Sequence, residues 1–200
     1  NLNQPAAKTL KAAEDESRLT ILSPYDRSVV DSLPYHCAED ADAALDRAVA
    51  LYNNRDQWIP AHERMAILTR LATLVEQAGA SFAELIAREG GKPLMTSRIE
   101  VERAVFGLRH AASQIPAIMG SGAFTPDITP LGVGKHFEMR YEPIGPIVAI
   151  CAFNHPLNLV VHQVAPAIAV GAPVLLKPDL RTPLTALKFA ELAREAGLPE

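Results

Sequence analysis

The chain has 200 residues, of which 48% are hydrophobic and 21% are charged, and its formal net charge is −4. This composition is typical of a soluble globular protein, and the acidic balance argues against a nucleic-acid partner. No stretch free of charge and proline approaches the roughly 20 apolar residues of a membrane-spanning helix. The 2 cysteines indicate no disulfide framework, so a cytoplasmic location is expected.

The first part of the chain predicts a polar lead-in, a β-hairpin and three helices. Residues 1–18 are polar and rich in alanine. Short apolar runs at residues 19–22 and 29–33 flank a turn signal, Ser23-Pro24-Tyr25-Asp26, and predict a hairpin. Apolar residues at helical spacing then predict helices over residues 41–52, 58–78 and 81–89.

A longer helix is predicted over residues 96–118. Its main apolar face runs from Val101 to Ile115 at three-to-four spacing. On the opposite face, Ile99 and Phe106 accompany Arg103 and His110. A purely solvated face does not require that Ile and Phe, so we interpret this side as one that also meets protein or a ligand.

The next stretch predicts a loop and one strand. Residues 119–134 are rich in glycine and proline, and residues 135–141 alternate enough to form a strand. Gly132-Val133-Gly134 follows no strand and opens no helix, so it is interpreted as a turn and not as a phosphate-binding loop.

Residues 141–183 predict a βαβ unit. Residues 144–152 form an apolar run typical of a strand that is covered on both faces of a parallel sheet. Pro156 is predicted in the first turn of a helix that ends at Gly171. Residues 173–176 form a second short strand, and a crossover of this kind joins parallel strands.

A polar residue follows each of these two strands. Asn154 comes just after the first strand, and Lys177 ends the second. Parallel sheets bind ligands beyond the carboxyl ends of their strands, and an amide with a cation suits an anionic or oxyanionic ligand. From position alone, Asn154 could equally cap the following helix, and Lys177 could be a surface lysine.

Thr182 as N-cap, Pro183 at the first helical position and Gly197 beyond the end predict a further helix. The residues after Gly197 predict a third strand. A two-stranded βαβα unit leaves apolar sheet surface uncovered, so we expect the fold to continue beyond residue 200.

Three motifs in this region resemble the aldehyde dehydrogenase superfamily. They are residues 142–145 (Glu-Pro-Ile-Gly), residues 153–156 (Phe-Asn-His-Pro) and the turn at residues 177–183 (Lys-Pro-Asp-Leu-Arg-Thr-Pro). Asn154 and Lys177 are 23 positions apart, which is the family spacing. The similarity extends upstream through residues 90–93 and covers nearly the whole chain. It is greatest to the branch of lactaldehyde, succinate-semialdehyde and phosphonoacetaldehyde dehydrogenases.

The resemblance implies an α/β fold with amino-terminal helices, the first βαβα of a Rossmann-like parallel sheet and an oligomerisation hairpin, incomplete in this chain. Residues 1–118 would be the helical part of the cofactor-binding domain. Residues 119–142 would form the loop and hairpin, and residues 143–200 would begin the Rossmann-like unit. A homodimer or homotetramer is implied.

The implied activity is NAD(P)-dependent oxidation of an aldehyde to a carboxylic acid through a cysteine thiohemiacetal. The family's catalytic cysteine and general-base glutamate would lie beyond this chain, so the chain alone is expected to be inactive. Cys151 lies inside a predicted apolar strand, where thiols are unreactive, and is not expected to be that nucleophile. The histidines show no metal-ligand spacing, so no metal site is expected.

By resemblance, Asn154 is the catalytic residue of this chain, because its side-chain amide would stabilise the tetrahedral oxyanion. Lys177 would bind the adenosine ribose of the cofactor or its 2′-phosphate. Asp179 replaces the family's usual small hydroxyl residue and would repel a 2′-phosphate, whereas Arg181 favours one. NAD is therefore weakly preferred over NADP.

Ile150 and Phe153 are implied to line the cofactor cleft, near the adenine and the nicotinamide respectively. Both residue types are also common in plain protein cores. The functional interpretation therefore depends on the resemblance.

His155 departs from the family, in which many members have Phe or Tyr facing the aldehyde tunnel. It either bonds backbone near the helix start or binds a polar or anionic tail of the substrate. Relatives that oxidise anionic aldehydes use an arginine on the helix corresponding to residues 96–118. Arg103 is thus a candidate partner, with a solvated helix charge as the alternative.

Two other kinds of protein remain compatible with the sequence. One is a truncated, non-catalytic nucleotide-binding or assembly module. The other is a reductase of acyl phosphates or acyl-CoA thioesters with the same fold.

Overall fold

The structure is a computed structural model that describes residues 18–120, 122–125 and 127–199. Residues 1–17 of the predicted lead-in (residues 1–18) lie outside the described residues, and Arg18 is the first residue of a strand. Strand β1 (Arg18–Leu22) pairs antiparallel with β2 (Val29–Pro34), which confirms the predicted hairpin. In its turn, Asp26 accepts hydrogen bonds from the backbone N–H and the hydroxyl of Ser28.

The predicted helices of the amino-terminal half are all present. They are α1 (Ala38–Asn53), α2 (Ala61–Gln77), α3 (Gly79–Gly90) and α4 (Leu94–Ile118), with a short 3-10 helix, Arg55–Gln57, between α1 and α2. Helix α3 ends where Gly91 takes a left-handed conformation with φ of 67°. Such a backbone suits glycine, which has no Cβ to clash.

A second hairpin joins β3 (Ala123–Phe124) to β4 (Phe137–Glu138) in antiparallel register. The strand predicted over residues 135–141 is therefore too long. Alternation along a sequence indicates which residues can form a strand. Only the residues that find a hydrogen-bonding partner become one, and here the partner strand is equally short.

The predicted βαβα unit is confirmed. Strand β5 (Ile147–Ile150), helix α5 (Asn158–Val170), strand β6 (Val174–Lys177) and helix α6 (Pro183–Glu195) follow one another, and β5 pairs parallel with β6. The prediction that Pro156 lies in the first turn of α5 is wrong, because Pro156 lies in a turn at residues 156–157, two residues before the helix begins at Asn158.

The prediction that β5 is covered on both faces is wrong. Ala149 is buried, whereas Val148 is 50% and Ile150 is 67% exposed. Successive side chains of a strand point to opposite faces, so one face of β5 packs inward and the other is open. An apolar run predicts burial from composition but does not identify the element that covers each face.

One hydrophobic core joins α2 to α6. Its largest fully buried apolar side chains are Phe82, Phe189, Leu68, Leu71, Ile86, Leu108 and Leu157. Helix α5 crosses close to α4 at Gly107, where an added Cβ would lie 3.1 Å from Val161 Cγ1. The absence of a side chain at Gly107 thus lets α4 and α5 pack closely, and these two helices line the groove described below. No helix in the described residues combines the length and apolar character needed to cross a bilayer.

Candidate active site

The carboxyl ends of β5 and β6 meet at one edge of the sheet. Ile150 is in register with Lys177, and the backbone N–H of Cys151 donates to the carbonyl oxygen of Lys177 at 3.0 Å. Lys177 is exposed, and Asn154 is exposed in the loop that leaves β5. The two strand ends that carry the predicted site are therefore adjacent.

The loops that follow the two strands contact each other. The guanidinium carbon of Arg181 lies 3.5 Å from the centre of the Phe153 ring. Arg181 also donates from Nε to Asp179 Oδ1 at 2.9 Å and from Nη2 to Asp179 Oδ2 at 3.1 Å. These hydrogen bonds lower the pKa of Asp179 and raise that of Arg181. The two charges that were expected to favour different cofactors thus pair with each other.

The open face of β5 continues this surface. The side chain of Ile150 is 67% exposed and that of Phe153 is 41% exposed. An exposed apolar strand face beside an exposed lysine provides a flat surface for a ring and a cation for polar oxygens. These are the groups that a dinucleotide presents, so the residues present fit such a ligand.

The loop that carries Asn154 is hydrogen-bonded to a side chain of α4. Glu100 is only 2% exposed, and its Oε1 accepts hydrogen bonds from the backbone N–H groups of Leu157 at 2.9 Å and Asn158 at 3.1 Å. Its other oxygen, Oε2, forms an ion pair with Lys92. Lys92 Nζ in turn donates to the carbonyl oxygen of Asn154 at 3.3 Å.

Sequence reasoning missed Glu100 and the role of Lys92. One signal was available, because Glu100 lies between Ser97, Val101 and Ala104 on the apolar face of α4. A carboxylate at a core position requires buried hydrogen-bond donors. The backbone N–H groups at the start of α5 are those donors.

Helix α6 is capped in the same way from a distant helix. Thr182 is the N-cap residue as predicted, but its side chain makes no capping hydrogen bond. Instead, Glu89 on α3 accepts hydrogen bonds from the backbone N–H groups of Leu184 and Thr185 and from the Thr185 hydroxyl. Burial nevertheless raises the pKa of Glu89, because desolvation of the carboxylate outweighs these bonds.

A groove of about 770 Å³ lies between α4 and α5. The predicted second face of α4, with Ile99, Arg103, Phe106 and His110, lines one side, together with Glu102. The α5 side carries Asn158 and His162. Asn158 is 8% exposed, and its Oδ1 has no hydrogen-bond partner among the described residues.

Arg103 and His155, which were expected to bind the substrate tail together, do not line the same groove. Arg103 lines the groove and forms no hydrogen bond or ion pair within the described part of the chain. His155 is not among the described residues that line it. Its Nδ1 lies 2.9 Å from Lys92 Nζ and 3.5 Å from Glu100 Oε2.

Cys151 is buried at the end of β5, and burial raises the pKa of its thiol. Its Sγ is 3.4 Å from Nε2 of Gln163. Burial and a raised pKa both disfavour the reactive thiolate, which supports the expectation that Cys151 is not the nucleophile. Among the described residues, no group of histidine, cysteine and carboxylate side chains could hold a metal ion.

The chain matches the aldehyde dehydrogenase family over residues 11–200. This match covers more than half of the chain, and the fold and the paired strand ends agree with it. The protein therefore belongs to the aldehyde dehydrogenase family.

Individual relatives agree with this assignment. Aspartate-semialdehyde dehydrogenase 1 from Pseudomonas canavaninivorans is 36% identical over 202 residues, which cover 96% of this chain and 40% of that protein. Aldehyde dehydrogenase 21 from Physcomitrella patens, solved with the reaction product succinate, is 34% identical with a TM-score of 0.86. That match covers 93% of this chain and 38% of the solved chain. The chain thus spans well under half the length of these relatives.

Solved structures of similar proteins differ in their cofactor. The NADP-dependent glyceraldehyde-3-phosphate dehydrogenase from Bacillus halodurans C-125 is complexed with NADP; it is 30% identical, with a TM-score of 0.82, over 94% of this chain and 39% of its own. A benzaldehyde dehydrogenase from Corynebacterium glutamicum is NAD-dependent; it is 31% identical, with a TM-score of 0.81, over 93% of this chain and 39% of its own.

Proposed function

We propose that this chain is the amino-terminal portion of an NAD(P)-dependent aldehyde dehydrogenase that oxidises an aldehyde with an anionic tail to the carboxylic acid. The observation that carries the proposal is the adjacency of the β5 and β6 ends, with Lys177 exposed as the last residue of β6 and Asn154 exposed in the loop after β5. Residues 1–118 and 143–200 would both belong to its cofactor-binding domain, which the core shared by α2 to α6 supports.

Asn154 is the residue to which we assign a catalytic role. When a thiolate attacks an aldehyde, the carbonyl oxygen becomes an oxyanion, and a side-chain N–H directed at that oxygen lowers the barrier. By resemblance to the family, the thiolate would come from a cysteine outside this chain, and the burial and raised pKa of Cys151 support this. Asn154 would hold the oxyanion while the aldehyde hydrogen leaves as hydride.

Lys177, Ile150 and Phe153 would hold the cofactor. The nicotinamide dinucleotide supplies the hydride acceptor when it is bound. Lys177 would donate to the adenosine ribose, and the apolar surfaces of Ile150 and Phe153 would contact the rings. Asp179 supports NAD over NADP, because a carboxylate near the ribose repels a 2′-phosphate. Its pairing with Arg181 removes the cation that would otherwise have favoured that phosphate.

The groove between α4 and α5 would hold the tail of the aldehyde. Arg103, whose guanidinium has no partner among the described residues, supports an anionic tail, because a planar fork binds carboxylate, sulfonate or phosphonate oxygens in two parallel hydrogen bonds. Glu102 also lines the groove, and its carboxylate would repel an anionic tail. The inward Oδ1 of Asn158 would accept from a substrate hydroxyl. His155 is left out of this tail site, because its Nδ1 lies 2.9 Å from Lys92 Nζ and it does not line the groove.

The hairpin of β3 and β4 would join two copies of the protein. Around it, Met139 is 47% and Tyr141 is 61% exposed. Apolar side chains exposed on a short two-stranded hairpin are typical of an association surface. A homodimer or homotetramer is the proposed assembly.

The test of the catalytic assignment is Asn154→Ala in the whole gene product. We expect kcat to fall roughly 100- to 1,000-fold, the loss that follows removal of one oxyanion donor. The dissociation constant of the cofactor, measured by fluorescence titration, should hardly change. Asn53→Ala, an exposed position at the end of α1, is the matched control and should retain normal turnover.

Near-normal turnover of Asn154→Ala would overturn the proposed chemistry. If the whole gene product reduces acyl phosphates or acyl-CoA thioesters faster than it oxidises aldehydes, the proposed direction of the reaction is wrong and the protein is a reductase. Cofactor binding without any turnover would identify a nucleotide-binding module.

A further inference from the structure

Helix α5 begins without a cap of its own. Its N-cap residue is Leu157, whose side chain has no hydrogen-bond acceptor, and no side-chain cap is formed there. The first N–H groups of a helix have no partner within it and need one from elsewhere. Glu100, 2% exposed on α4, accepts two of them, from Leu157 and Asn158.

Lys92 completes this arrangement from the connection between α3 and α4. Its Nζ forms an ion pair with Glu100 and donates to the carbonyl oxygen of Asn154 at 3.3 Å. It also lies 2.9 Å from His155 Nδ1. Its side chain is only 16% exposed, so the pair is largely shielded from water. The loop is thus held on both sides of Pro156, at Asn154 before it and at Leu157 after it.

Lys92 binds the backbone carbonyl of Asn154, and Glu100 binds the N–H groups three and four residues later, whereas Asn154 itself is exposed. Because few protein contacts orient an exposed side chain, the position of its amide depends mainly on where its backbone is held. A donor to an oxyanion must be pre-aligned, because a displacement of about 1 Å costs on the order of 100-fold in rate. A loop held only by its own residues would not provide that alignment.

We propose that Lys92 and Glu100 are positioning residues that fix the backbone of Asn154 so that its amide is aligned with the developing oxyanion. This inference rests on the proposed catalytic role of Asn154. Neither residue contacts the aldehyde. Lys92 acts through the Asn154 carbonyl, and Glu100 acts by fixing Lys92 and the start of α5.

The test uses Lys92→Met in the whole gene product, alone and combined with Asn154→Ala. Met keeps the length of the side chain but cannot donate. We expect kcat to fall about 10- to 100-fold, with KM and the cofactor dissociation constant nearly unchanged. In the Asn154→Ala background, Lys92→Met should cause no further loss, because there is no amide left to align. Lys188→Met is the matched control, because Lys188 on α6 donates from Nζ to Ser81 on α3 and contacts neither Glu100 nor Asn154 among the described residues.

Lys92→Met leaves Glu100 as a buried charge without its partner, which can prevent folding. The double variant Lys92→Met/Glu100→Gln removes both charges and keeps an acceptor oxygen for the α5 N–H groups. It should fold, with a thermal midpoint close to that of the parent, and show the same fall in kcat.

The outcomes separate the two proposals. A loss in Asn154→Ala with normal kcat in both Lys92 variants overturns the positioning role alone. An equal loss from Lys92→Met with and without Asn154 also overturns it, because the effect is then structural. Near-normal turnover of Asn154→Ala overturns the catalytic role and the positioning role together.

Discussion

Arg181 stacks on Phe153, with its guanidinium carbon 3.5 Å from the ring centre, and so joins the loops that follow two adjacent parallel strands. Cation–ring contacts of this kind contribute about 0.5–1 kcal/mol at exposed sites. The same guanidinium donates two hydrogen bonds to Asp179, from Nε to Oδ1 and from Nη2 to Oδ2. Phe153, Arg181 and Asp179 therefore form one unit at the edge where we expect the cofactor.

The first prediction concerns cofactor choice. Asp179→Asn should raise the ratio of kcat/KM for NADP over NAD about fivefold or more, because a like charge about 4 Å away costs on the order of 1 kcal/mol even in water. The substitution also releases Arg181 toward a 2′-phosphate. Asp56→Asn, in the exposed 3-10 helix, is the control.

The pH dependence of this effect follows from the lowered pKa of Asp179. A carboxylate whose folded pKa lies below its ordinary 3.8 stays ionised above that value and loses its stabilising contribution only as pH falls through the lowered pKa. Asp179 should therefore keep its charge across neutral pH, so a change in discrimination there would reflect ionisation of the 2′-phosphate, whose second pKa is about 6. An unchanged cofactor ratio in Asp179→Asn would contradict the assignment of Asp179.

The second prediction concerns the groove. Arg103→Met should lower kcat/KM for an aldehyde with a carboxylate or sulfonate tail about tenfold or more, and leave a neutral aldehyde of similar size almost unaffected. Arg109→Met is the matched control. Arg109 is on the same helix but is paired with Glu76 and does not line the groove, so its loss should affect both aldehydes equally. Equal losses with both aldehydes would show that Arg103 supports the helix and does not recognise charge.

The third prediction concerns the cysteines. Cys37 is exposed, whereas Cys151 is buried with a raised pKa. Because alkylation requires a thiolate, iodoacetamide near neutral pH should modify Cys37 in the native protein and leave Cys151 intact. Both should react after unfolding, as judged by peptide mass spectrometry. Rapid native labelling of Cys151 would show that the end of β5 opens, and would reopen the question of its reactivity.

The fourth prediction concerns stability. Glu89 is 1% exposed and accepts from Leu184 and Thr185, so Glu89→Gln places an amide N–H against the N–H of Leu184. A buried donor without a partner costs about 1–3 kcal/mol of unfolding free energy, measurable by urea unfolding. Glu84→Gln, exposed on the same helix, should change it by less than about 0.5 kcal/mol.

The pH trend of the Glu89→Gln cost has a definite sign. The pKa of Glu89 is raised above its ordinary 4.5, so its contribution to stability is complete below that value and is lost as pH rises through the folded pKa. The cost of the substitution should be larger at about pH 5 than at about pH 8. The reverse trend would mean that the donors of Leu184 and Thr185 outweigh burial.

Local patterns carried much of the fold. Helical periodicity located α1 to α6, and the apolar runs before Asn154 and Lys177 located the parallel pair. These signals are sufficient because they arise between residues a few positions apart. The strand length at residues 135–141 and the burial of β5 on both faces were predicted wrongly, because both depend on partners that are distant in the sequence.

The sequence by itself determined that this chain is an α/β protein of the aldehyde dehydrogenase family, with an asparagine and a lysine at two strand ends. Only the tertiary structure decided how those ends are held. Glu100 reaches the start of α5 from 57 positions away, and Glu89 reaches that of α6 from 95 positions away. No local pattern specifies such pairings. They exist because packed helices bury the carboxylates, and a buried carboxylate requires the nearest unpaired N–H groups.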